Sequence, residues 1–480
     1  MQNRYHQISR RQIVTHWSII VIAVITPLLL CAALPILPTH DDWAGTTTPD
    51  FKPFFTKEHF LFFGYHWRPF DTWIGYIVGR DPQMLYPAFN HVCVVVGHVI
   101  CSLLVYRMLT KLAFDEMTCN IVTLFFFITP ATMATVLAVD SQNQVYALVW
   151  GMIAFQYYIW NKSNKLVWIM LIFMATLSKE NGLMWALICP ILAYGFDFID
   201  IRKLKKDLLI GIGIMVVYAL AIVVLPKSII IHPEYVPEEM KMIKNIIKFL
   251  FSTFITVDYV YLLHQPSRNL LLAGISLLLA APFMYLVYIR KASLFVHKKM
   301  ICTIICLFIS IGPHIITVFS MMHTYAGLAL LSIIMAYSLQ SYKQHKYIIL
   351  SFVLFVVSAI MIDTHLWHES LKSGLVGKKM AQEAILKTGK PIKNVYVIII
   401  ENDDSKLSSF CVIPYEAFGW GLAARYETNY QWPEAIEDTT IERSADAFRK
   451  AKELGLETLK KQQYDCVWIV DHEHIDVIKR

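Results

Sequence analysis

Two adjacent carboxylates, Asp41 and Asp42, follow the first long apolar segment of the chain. A carboxylate at the mouth of a membrane helix is costly to place, and a positioned carboxylate can remove a proton from a hydroxyl group. The alternative is that both side chains lie in water as a helix-capping pair in a loop. A chemical role therefore requires partner residues on the same side of the membrane.

The composition of the chain is that of a membrane protein. Of its 480 residues, 56% are hydrophobic and 16% are charged, and the mean hydropathy is +0.49. A soluble protein cannot bury that much apolar surface, so a polytopic membrane protein is predicted. The net charge of +7 is attributed to basic cytoplasmic loops, because no basic, aromatic-rich patch indicates nucleic-acid binding.

About eleven apolar segments are long enough to cross a bilayer. Arg4, Arg10 and Arg11 precede the first segment without a cleavage pattern after it, which predicts a retained signal anchor with a cytoplasmic N-terminus. The predicted fold class is therefore a predominantly α-helical membrane bundle. The segments lie near Val14–Leu37, Tyr86–Leu109, Thr118–Val139, Gln144–Trp160, Leu166–Leu177, Gly182–Ile199, Leu208–Leu225, Leu270–Ile289, Ile301–Phe319, Tyr325–Leu339 and Tyr347–Ile362.

Basic residues support an alternating topology of these segments. With the N-terminus inside, every even-numbered connection is cytoplasmic, and each one is short and basic, as the positive-inside rule requires. The outer side then receives the loops 38–85 and 226–269, the turns 141–143, 179–181 and 321–324, and the C-terminal tail. The basic residues of the inner connections are Arg107, Lys111, Lys162, Lys165, Arg202, Lys203, Lys205, Lys206, Arg290, Lys291, Lys298, Lys299, Lys343 and Lys346.

Two domains are predicted, and they divide near residue 365. Residues 1–365 form the transmembrane domain, whose outer loops contain aromatic and amphipathic stretches typical of interfacial helices, one of them over 238–254. Residues 366–480 form a small extracytoplasmic α/β domain. Its predicted elements are a helix over 366–386, buried strands at 395–400 and 466–470, and helices over 415–426 and 441–459.

The cysteines do not indicate a zinc site or a redox site. Seven of the nine lie in apolar segments, where cysteine behaves as a small hydrophobic residue, and no zinc-like spacing is present. Cys411 and Cys466 lie in the polar tail. They form either a disulfide in an oxidising compartment or two buried free thiols.

Ionisable residues collect on the predicted outer side, at the ends of several spans. Such clustering is what a site at the membrane boundary requires. Lys179 and Glu180 either form a tight turn in water or face a polar cavity. Arg68 either reaches lipid headgroups or holds a substrate or an acidic partner. The full set is Asp41, Asp42, His66, Arg68, Asp140, Lys179, Glu180, His264, Arg268, His314 and His323.

Three of these features together resemble the GT-C glycosyltransferases, in the branch of the protein O-mannosyltransferases. They are the acidic pair after the first span, Trp67-Arg68-Pro69-Phe70 in the first outer loop, and Leu177-Ser178-Lys179-Glu180. His323-Thr-Tyr at the start of the tenth span is similar to an Arg-Tyr element of that branch, with His-Thr in place of the arginine. The resemblance covers about the first 365 residues.

The resemblance implies an inverting transfer of sugar from a polyprenyl-phosphate donor at the outer face of the membrane. It assigns Asp41 as general base, with Asp42 as the competing choice. It makes Arg68, Lys179 and Arg268 candidates for binding the donor phosphate or for orienting the base. It assigns Glu180 to positioning Lys179 or the acceptor. No cofactor is expected, and a divalent metal at the acidic pair is possible but not favoured. The substrate-binding set is Arg68, Lys179, Glu180, Arg268, His323 and His66.

The acceptor and the cellular setting follow by analogy. A surface glycan such as O-antigen is favoured, and a protein hydroxyl or a lipid such as lipid A is the alternative. The predicted location is the bacterial inner membrane, with a periplasmic C-terminal domain and membrane lipids as partners. A transporter or flippase for a lipid-linked sugar is the rival class, although the sequence lacks the internal repeats and midplane charges typical of transporters.

Overall fold

We describe the protein from a computed structural model. It describes residues 16–37, 88–138, 141–160, 164–224, 239–250, 252, 266–289, 293, 296–316, 321–342, 344–400, 435–471 and 474–480. The helices are α1 Trp17–Ala33, α2 Ala88–Lys111, α3 Glu116–Ile128, α4 Pro130–Val136, α5 Gln142–Trp160, α6 Lys165–Ser178, α7 Trp185–Gly195, α8 Ile201–Val224, α9 Glu239–Leu250, α10 Pro266–Met284, α11 Lys298–Ile316, α12 Tyr325–Gln340, α13 His345–Thr388 and α14 Ala447–Lys460.

Each of the eleven predicted apolar segments coincides with helix, which confirms the fold class of a helical bundle. Among the described residues, five helices are long and apolar enough to cross a membrane, or six if a bent pair counts as one span. The chain is therefore a multi-pass membrane protein. α1 and α6 are shorter apolar helices.

Two predicted spans are interrupted, and both interruptions have a local cause. The third span breaks by 49° between α3 and α4, because Thr129 is extended (φ −67°, ψ 137°) ahead of Pro130, as the residue before a proline prefers. The sixth begins with a 3₁₀ turn, Glu180–Met184, before α7. Both breaks lie at the end of the bundle that holds the polar cluster described below.

Side-chain contacts between helices agree with the alternating directions that the topology requires. α2 and α5, the second and fourth spans, run the same way, whereas α10 and α13, the eighth and eleventh, run in opposite directions. In the first pair, Tyr146 donates to the carbonyl of Cys93 and Gln156 to that of Leu104. In the second pair, Ser276 contacts Ser358, and Tyr342, just before α13, donates to the carbonyl of Leu286, just after α10.

The two ends of the bundle have different polar contacts. At one end, the connections predicted to be cytoplasmic meet: Lys165 pairs with the buried Asp207, and Lys298 Nζ donates to Asp197 at 2.7 Å. At the other end, the turns 141–144, 179–184 and 321–324 meet. We call these the inner end and the outer end, after the predicted topology.

One outer connection contains an amphipathic helix, as predicted for 238–254. α9 runs from Glu239 to Leu250 and packs on the last turns of α11, where Asn245 Nδ2 donates to the carbonyl of Ile315 at 3.1 Å. Phe249 is buried against the bundle, while Ile243 and Ile247 are exposed one turn apart. This arrangement agrees with a helix whose outer face contacts lipid. The loop 38–85 lies outside the described residues.

α13 is one continuous helix of 44 residues that crosses the predicted domain boundary. At 1.5 Å per residue it is about 66 Å long, roughly twice the hydrocarbon thickness of a bilayer. Its first half, through Leu366, packs in the main core of the bundle. Its last turns, with Met380 and Ala384, pack in the core of the C-terminal sheet. It ends at Gly389, whose φ of +74° is the left-handed conformation that glycine favours.

The described residues of the C-terminal region form a four-stranded sheet with helices on both faces. The strands are β1 Asn394–Ile400, β2 Ala435–Ile441, β3 Cys466–Asp471 and β4 His474–Lys479, in the order β2-β1-β3-β4. β1 is parallel to β2 and β3, and β4 is antiparallel to β3. α13 covers one face, and α14 covers the other through Ala447 and Ala451.

The sequence predicted this region in part. The strands at 395–400 and 466–470 are confirmed, and β2 and β4 were missed. The helix predicted over 441–459 begins only at Ala447, because Ile441 is the last residue of β2. Cys466 is a buried free thiol, and burial raises its pKa to about 12. Cys411 and the helix predicted over 415–426 lie outside the described residues.

Candidate functional site

The predicted site residues fall into three groups. Lys179, Glu180 and His323 are described with their side chains. Arg268 lies in the first turn of α10, and only its backbone is described. The others, Asp41, Asp42, His66 and Arg68, lie outside the described residues.

A tight turn places Lys179 at the outer end. α6 ends when the Lys179 N–H donates to the carbonyl of Ala175 at 3.1 Å, and Lys179 itself is extended (φ −156°, ψ 146°). The chain then turns back, with the Gly182 N–H donating to the Lys179 carbonyl at 2.9 Å. A Cβ on Gly182 would lie 2.2 Å from the Ala175 carbonyl oxygen, so the turn requires glycine there. Because Lys179 is extended, its side chain leaves the chain in a different direction from the side chain of a helical residue.

The ammonium group of Lys179 is buried at the point where the three outer turns meet. The residue is 4% exposed. Its Nζ donates to Asn143 Oδ1 at 3.1 Å and lies 3.9 Å from the sulfur of Met322. These contacts join the turns 141–144, 179–184 and 321–324. Of the two sequence interpretations, a turn in water is excluded for Lys179, because a buried cation loses most of its hydration.

A second polar pair lies beside this contact. Asn181 Nδ2 donates to Gln144 Oε1 at 2.9 Å, and both residues are buried. The two amides share a crevice with Trp185 and Ser310. Glu180 is partly exposed on the same turn. The turn thus carries a buried cation, a partly exposed acid and a buried amide at consecutive positions.

His323 lies on the third outer turn and is paired with a histidine from α11. The imidazoles of His314 and His323 are stacked, with centroids 3.7 Å apart and planes within 9°. The 3₁₀ turn Met321–Thr324 holds His323, and Thr324 closes this turn by donating to the Met321 carbonyl at 2.7 Å. α4 packs on the same turn. An imidazole N–H can donate a hydrogen bond to an anion, so the pair adds hydrogen-bond donors to the outer end.

Sequence reasoning missed several members of this cluster. Asn143, Gln144 and Asn181 were given no role, and His314 was only one of the outer ionisable residues. The available signal was the run Gln142-Asn143-Gln144 at the start of an apolar span, since three consecutive amides in a membrane helix require polar partners. Amides carry no charge, so a site predicted from ionisable residues does not include them.

The described residues contain no group of three His, Cys, Asp or Glu side chains that could hold a metal ion. Asp41 and Asp42 lie outside that part of the chain, so the absence of a metal there stays a prediction. The donors that are present at the outer end are amides, an ammonium and imidazoles. Such a set suits an anion better than a divalent cation.

Comparisons with known proteins give one structural similarity. No protein-family model matches the chain, and no curated protein matches it. Among solved structures, the chain is similar to the crystal structure of ArnT from Cupriavidus metallidurans bound to undecaprenyl phosphate. The identity is 9%, the match covers 96% of this chain and 98% of that chain, and the TM-score is 0.46.

Proposed function

We propose that the protein is an inverting glycosyltransferase that moves a sugar from a polyprenyl-phosphate donor to an acceptor at the outer end of the bundle. The observation that supports this most is the burial of Lys179 where the three outer turns meet. A buried ammonium within reach of the membrane surface is complementary to a lipid-linked phosphate. The order of the acidic pair, the Arg-Pro element and the Lys-Glu element in the sequence supports the same class.

The proposed reaction uses one carboxylate as base and the cations as phosphate ligands. Asp41, or Asp42 in its place, removes the proton from the acceptor hydroxyl, and the acceptor oxygen forms a bond to the anomeric carbon from the face opposite the phosphate. The bond between that carbon and the phosphate oxygen breaks, and the electron pair leaves with the phosphate. Phosphate leaves without protonation, so the second carboxylic acid of a glycosidase is not needed.

The remaining residues are assigned by their chemistry. Lys179, Arg68 and Arg268 bind the phosphate or orient the base, and His323 and His66 supply imidazole donors. Glu180 positions Lys179 or the acceptor. Because the reaction forms charge on the phosphate, these donors stabilise the transition state more than the ground state.

The acceptor we favour is a surface glycan such as O-antigen, with the enzyme in a bacterial inner membrane and its C-terminal domain in the periplasm. A protein hydroxyl and lipid A are the alternative acceptors. Comparing surface glycans, proteins and lipids by mass spectrometry, with and without the protein, separates these three. A sugar that is missing only from lipid A would reject the glycan assignment.

The test of the reaction uses the full-length protein in lipid vesicles and a radiolabelled polyprenyl-phosphate sugar. We expect loss of label from the donor and its appearance on an acceptor. Replacement of the base by asparagine is expected to lower kcat by about 100- to 10,000-fold. If Asp41→Asn and Asp42→Asn both kept full activity, the assignment of the base would be wrong. Movement of intact donor across the vesicle without cleavage would favour the transporter.

A further inference from the structure

A buried histidine of α2 joins the break in the third span to the first residue of α12. His98 is fully buried. Its Nε2 lies 3.0 Å from the carbonyl oxygen of Phe127, and its Nδ1 lies 2.6 Å from the hydroxyl oxygen of Tyr325. Ionisable side chains inside membrane spans are rare and costly, and those that are present usually have a function. His98 was not among the predicted site residues, and the proposed reaction gives it no part.

The first contact pairs a carbonyl group at the break in the third span. In a continuous helix, the Phe127 carbonyl would accept from the N–H of residue 131. Thr129 and Pro130 turn the chain away by 49°, and His98 Nε2 donates to this carbonyl. A buried carbonyl without water around it needs such a partner, so His98 stabilises the broken span.

The first contact also fixes the direction of the second hydrogen bond. A carbonyl oxygen only accepts, so Nε2 of His98 carries a proton. In the neutral ring Nδ1 then accepts, and the hydroxyl group of Tyr325 donates to it. The imidazole is stacked on the ring of Phe127, with centroids 5.1 Å apart and planes within 14°, which holds it in this orientation. A side chain that replaces His98 must therefore offer one donor and one acceptor.

Tyr325 connects this hydrogen bond to the candidate site. It is buried, and it is the first residue of α12, directly after the outer turn Met321–Thr324. In that turn, His323 is a proposed phosphate donor, and the sulfur of Met322 lies 3.9 Å from Lys179 Nζ. α4, which follows the break, packs on the same turn. A shift of Tyr325 would therefore displace the turn and the side chains that it brings to the site.

We propose that His98 is a positioning residue for the outer turn Met321–Thr324. It acts through Tyr325, because the hydrogen bond between the two side chains fixes the start of α12 relative to the break in the third span. The turn then presents His323 in one place. The role of His323 as a phosphate donor rests on the proposed function, whereas the two contacts of His98 do not.

The first experiment compares two tyrosines near opposite ends of α12. Tyr325→Phe removes the hydroxyl group that donates to His98, whereas Tyr342→Phe removes a hydroxyl group that donates to the carbonyl of Leu286 at 3.3 Å. Sugar transfer is measured with the full-length variants in lipid vesicles. Since one hydrogen bond to a positioned group is lost, we expect kcat/KM to fall about tenfold in Tyr325→Phe and to change less than about threefold in Tyr342→Phe. Equal values for the two variants would overturn the proposal.

Variants of His98 test whether its two hydrogen bonds are what the site requires. Glutamine can donate to the carbonyl of Phe127 and accept from Tyr325, whereas leucine can do neither. We expect His98→Leu to lower kcat/KM at least about tenfold and His98→Gln to recover most of the loss. An equal loss in both variants, or less folded protein with kcat/KM per folded molecule unchanged, would reject the positioning role. Tyr325→Phe, which keeps the ring, tests the same hydrogen bond if His98→Leu does not fold.

A measurement without activity separates this proposal from the proposed function. The reaction of His323 with diethyl pyrocarbonate, followed by mass spectrometry of the full-length protein, reports how firmly the outer turn is held. We expect Tyr325→Phe to raise this rate at least about threefold over the wild type, because the turn opens more often, and Tyr342→Phe to leave it unchanged. If the wild type transfers no sugar, the proposed function fails, and equal modification rates in the two variants would then overturn the positioning role as well.

Discussion

Lys179 is the described residue on which the proposed reaction depends most. It is the lysine that is buried among the described residues. A surface lysine keeps its hydration and is free to move, whereas a buried one gives up hydration and must be held. Asn143 holds it from one turn and Met322 contacts it from another. In the proposed reaction, a cation that is already held in place lowers the cost of binding the donor phosphate.

Replacement of Lys179 by methionine should remove the charge and keep most of the side-chain volume. A hydrogen bond to a charged group contributes about 1.5–3 kcal/mol, so kcat/KM should fall by about 10- to 100-fold. The measurement is sugar transfer by the purified variant. Lys206→Met, at an exposed lysine of the inner end, is the matched control. Equal kcat/KM values for the two variants would show that Lys179 is not a phosphate ligand.

For single residues, the sequence predicted which ionisable side chains belong to the candidate site, but it did not predict their contacts. Lys179, Glu180 and His323 could be selected because charges and imidazoles beside apolar spans are rare and costly. The contact of Lys179 with Asn143 could not be predicted, because it depends on how Gly182 closes against Ala175. The distance between Gly182 and Ala175 is set by the packing of the turn on the end of α6.

Among the elements, the strands of the C-terminal sheet depend on carboxylates at its connections. Asp465 accepts hydrogen bonds from the N–H groups of Lys393 and Asn394 at 2.8 and 2.9 Å, and these bonds lower the pKa of its carboxyl group. Asp446, just before α14, accepts from Ser444 and pairs with Lys450 and Arg449. These contacts lower the pKa of Asp446 to about 2.

The packing of α14 should therefore be sensitive to acid. A carboxyl group whose pKa is lower in the folded state than in the unfolded state stabilises the fold above its unfolded pKa of about 4, and this contribution is lost as the pH falls towards about 2. Hydrogen exchange of α14 in the full-length protein, corrected for the intrinsic rate, measures the loss between pH 5 and pH 2.

The comparison of variants attributes that loss to Asp446. We expect Asp446→Asn to have lower protection of α14 at pH 5 and a smaller change with pH than the wild type. Glu457→Gln, at an exposed position of the same helix, should behave as the wild type. The assignment to Asp446 would be wrong if its variant lost protection between pH 5 and pH 2 as steeply as the wild type.

α13 shows what composition indicates about an element and what it does not. The change in polarity after Asp363 was interpreted as the end of a span and the start of another helix. In the structure the helix continues through this point to Thr388. The sequence becomes more polar after Asp363 because the helix leaves the hydrocarbon layer of the membrane. The helix itself does not end there, since no proline interrupts it. The helix ends only where Gly389 supplies a left-handed residue.

The whole molecule has two chemically different ends. Buried amides, the Lys179 ammonium and stacked imidazoles lie at the outer end, and ion pairs such as that of Lys165 with Asp207 lie at the inner end. The topology that the basic connections predict places the first end outside the cell membrane. The helical, multi-pass character of the chain could be predicted from the sequence because each apolar segment is a local pattern, whereas the mutual packing of the helices could not.

Labelling of single cysteines should establish the orientation of the molecule. In a background without native cysteines, Asp42→Cys should react with a membrane-impermeant maleimide in intact cells. Lys205→Cys, at the inner end, should react only after the membrane is opened. Labelling of position 205 but not of position 42 in intact cells would reverse the predicted orientation, and the site would then face the cytoplasm.

The contact between α1 and α13 joins residues that are made far apart in time. Ala32 and Trp367 are 335 positions apart in the chain. At about 5–20 residues per second, the ribosome completes the second roughly 20–70 s after the first. During that interval the acidic pair has already been synthesised, but the nascent chain lacks the helix that contacts the end of α1. Chains that are released before the last span is synthesised lack this contact, so a truncated product in the membrane keeps α1 without the hydrogen bond from Trp367.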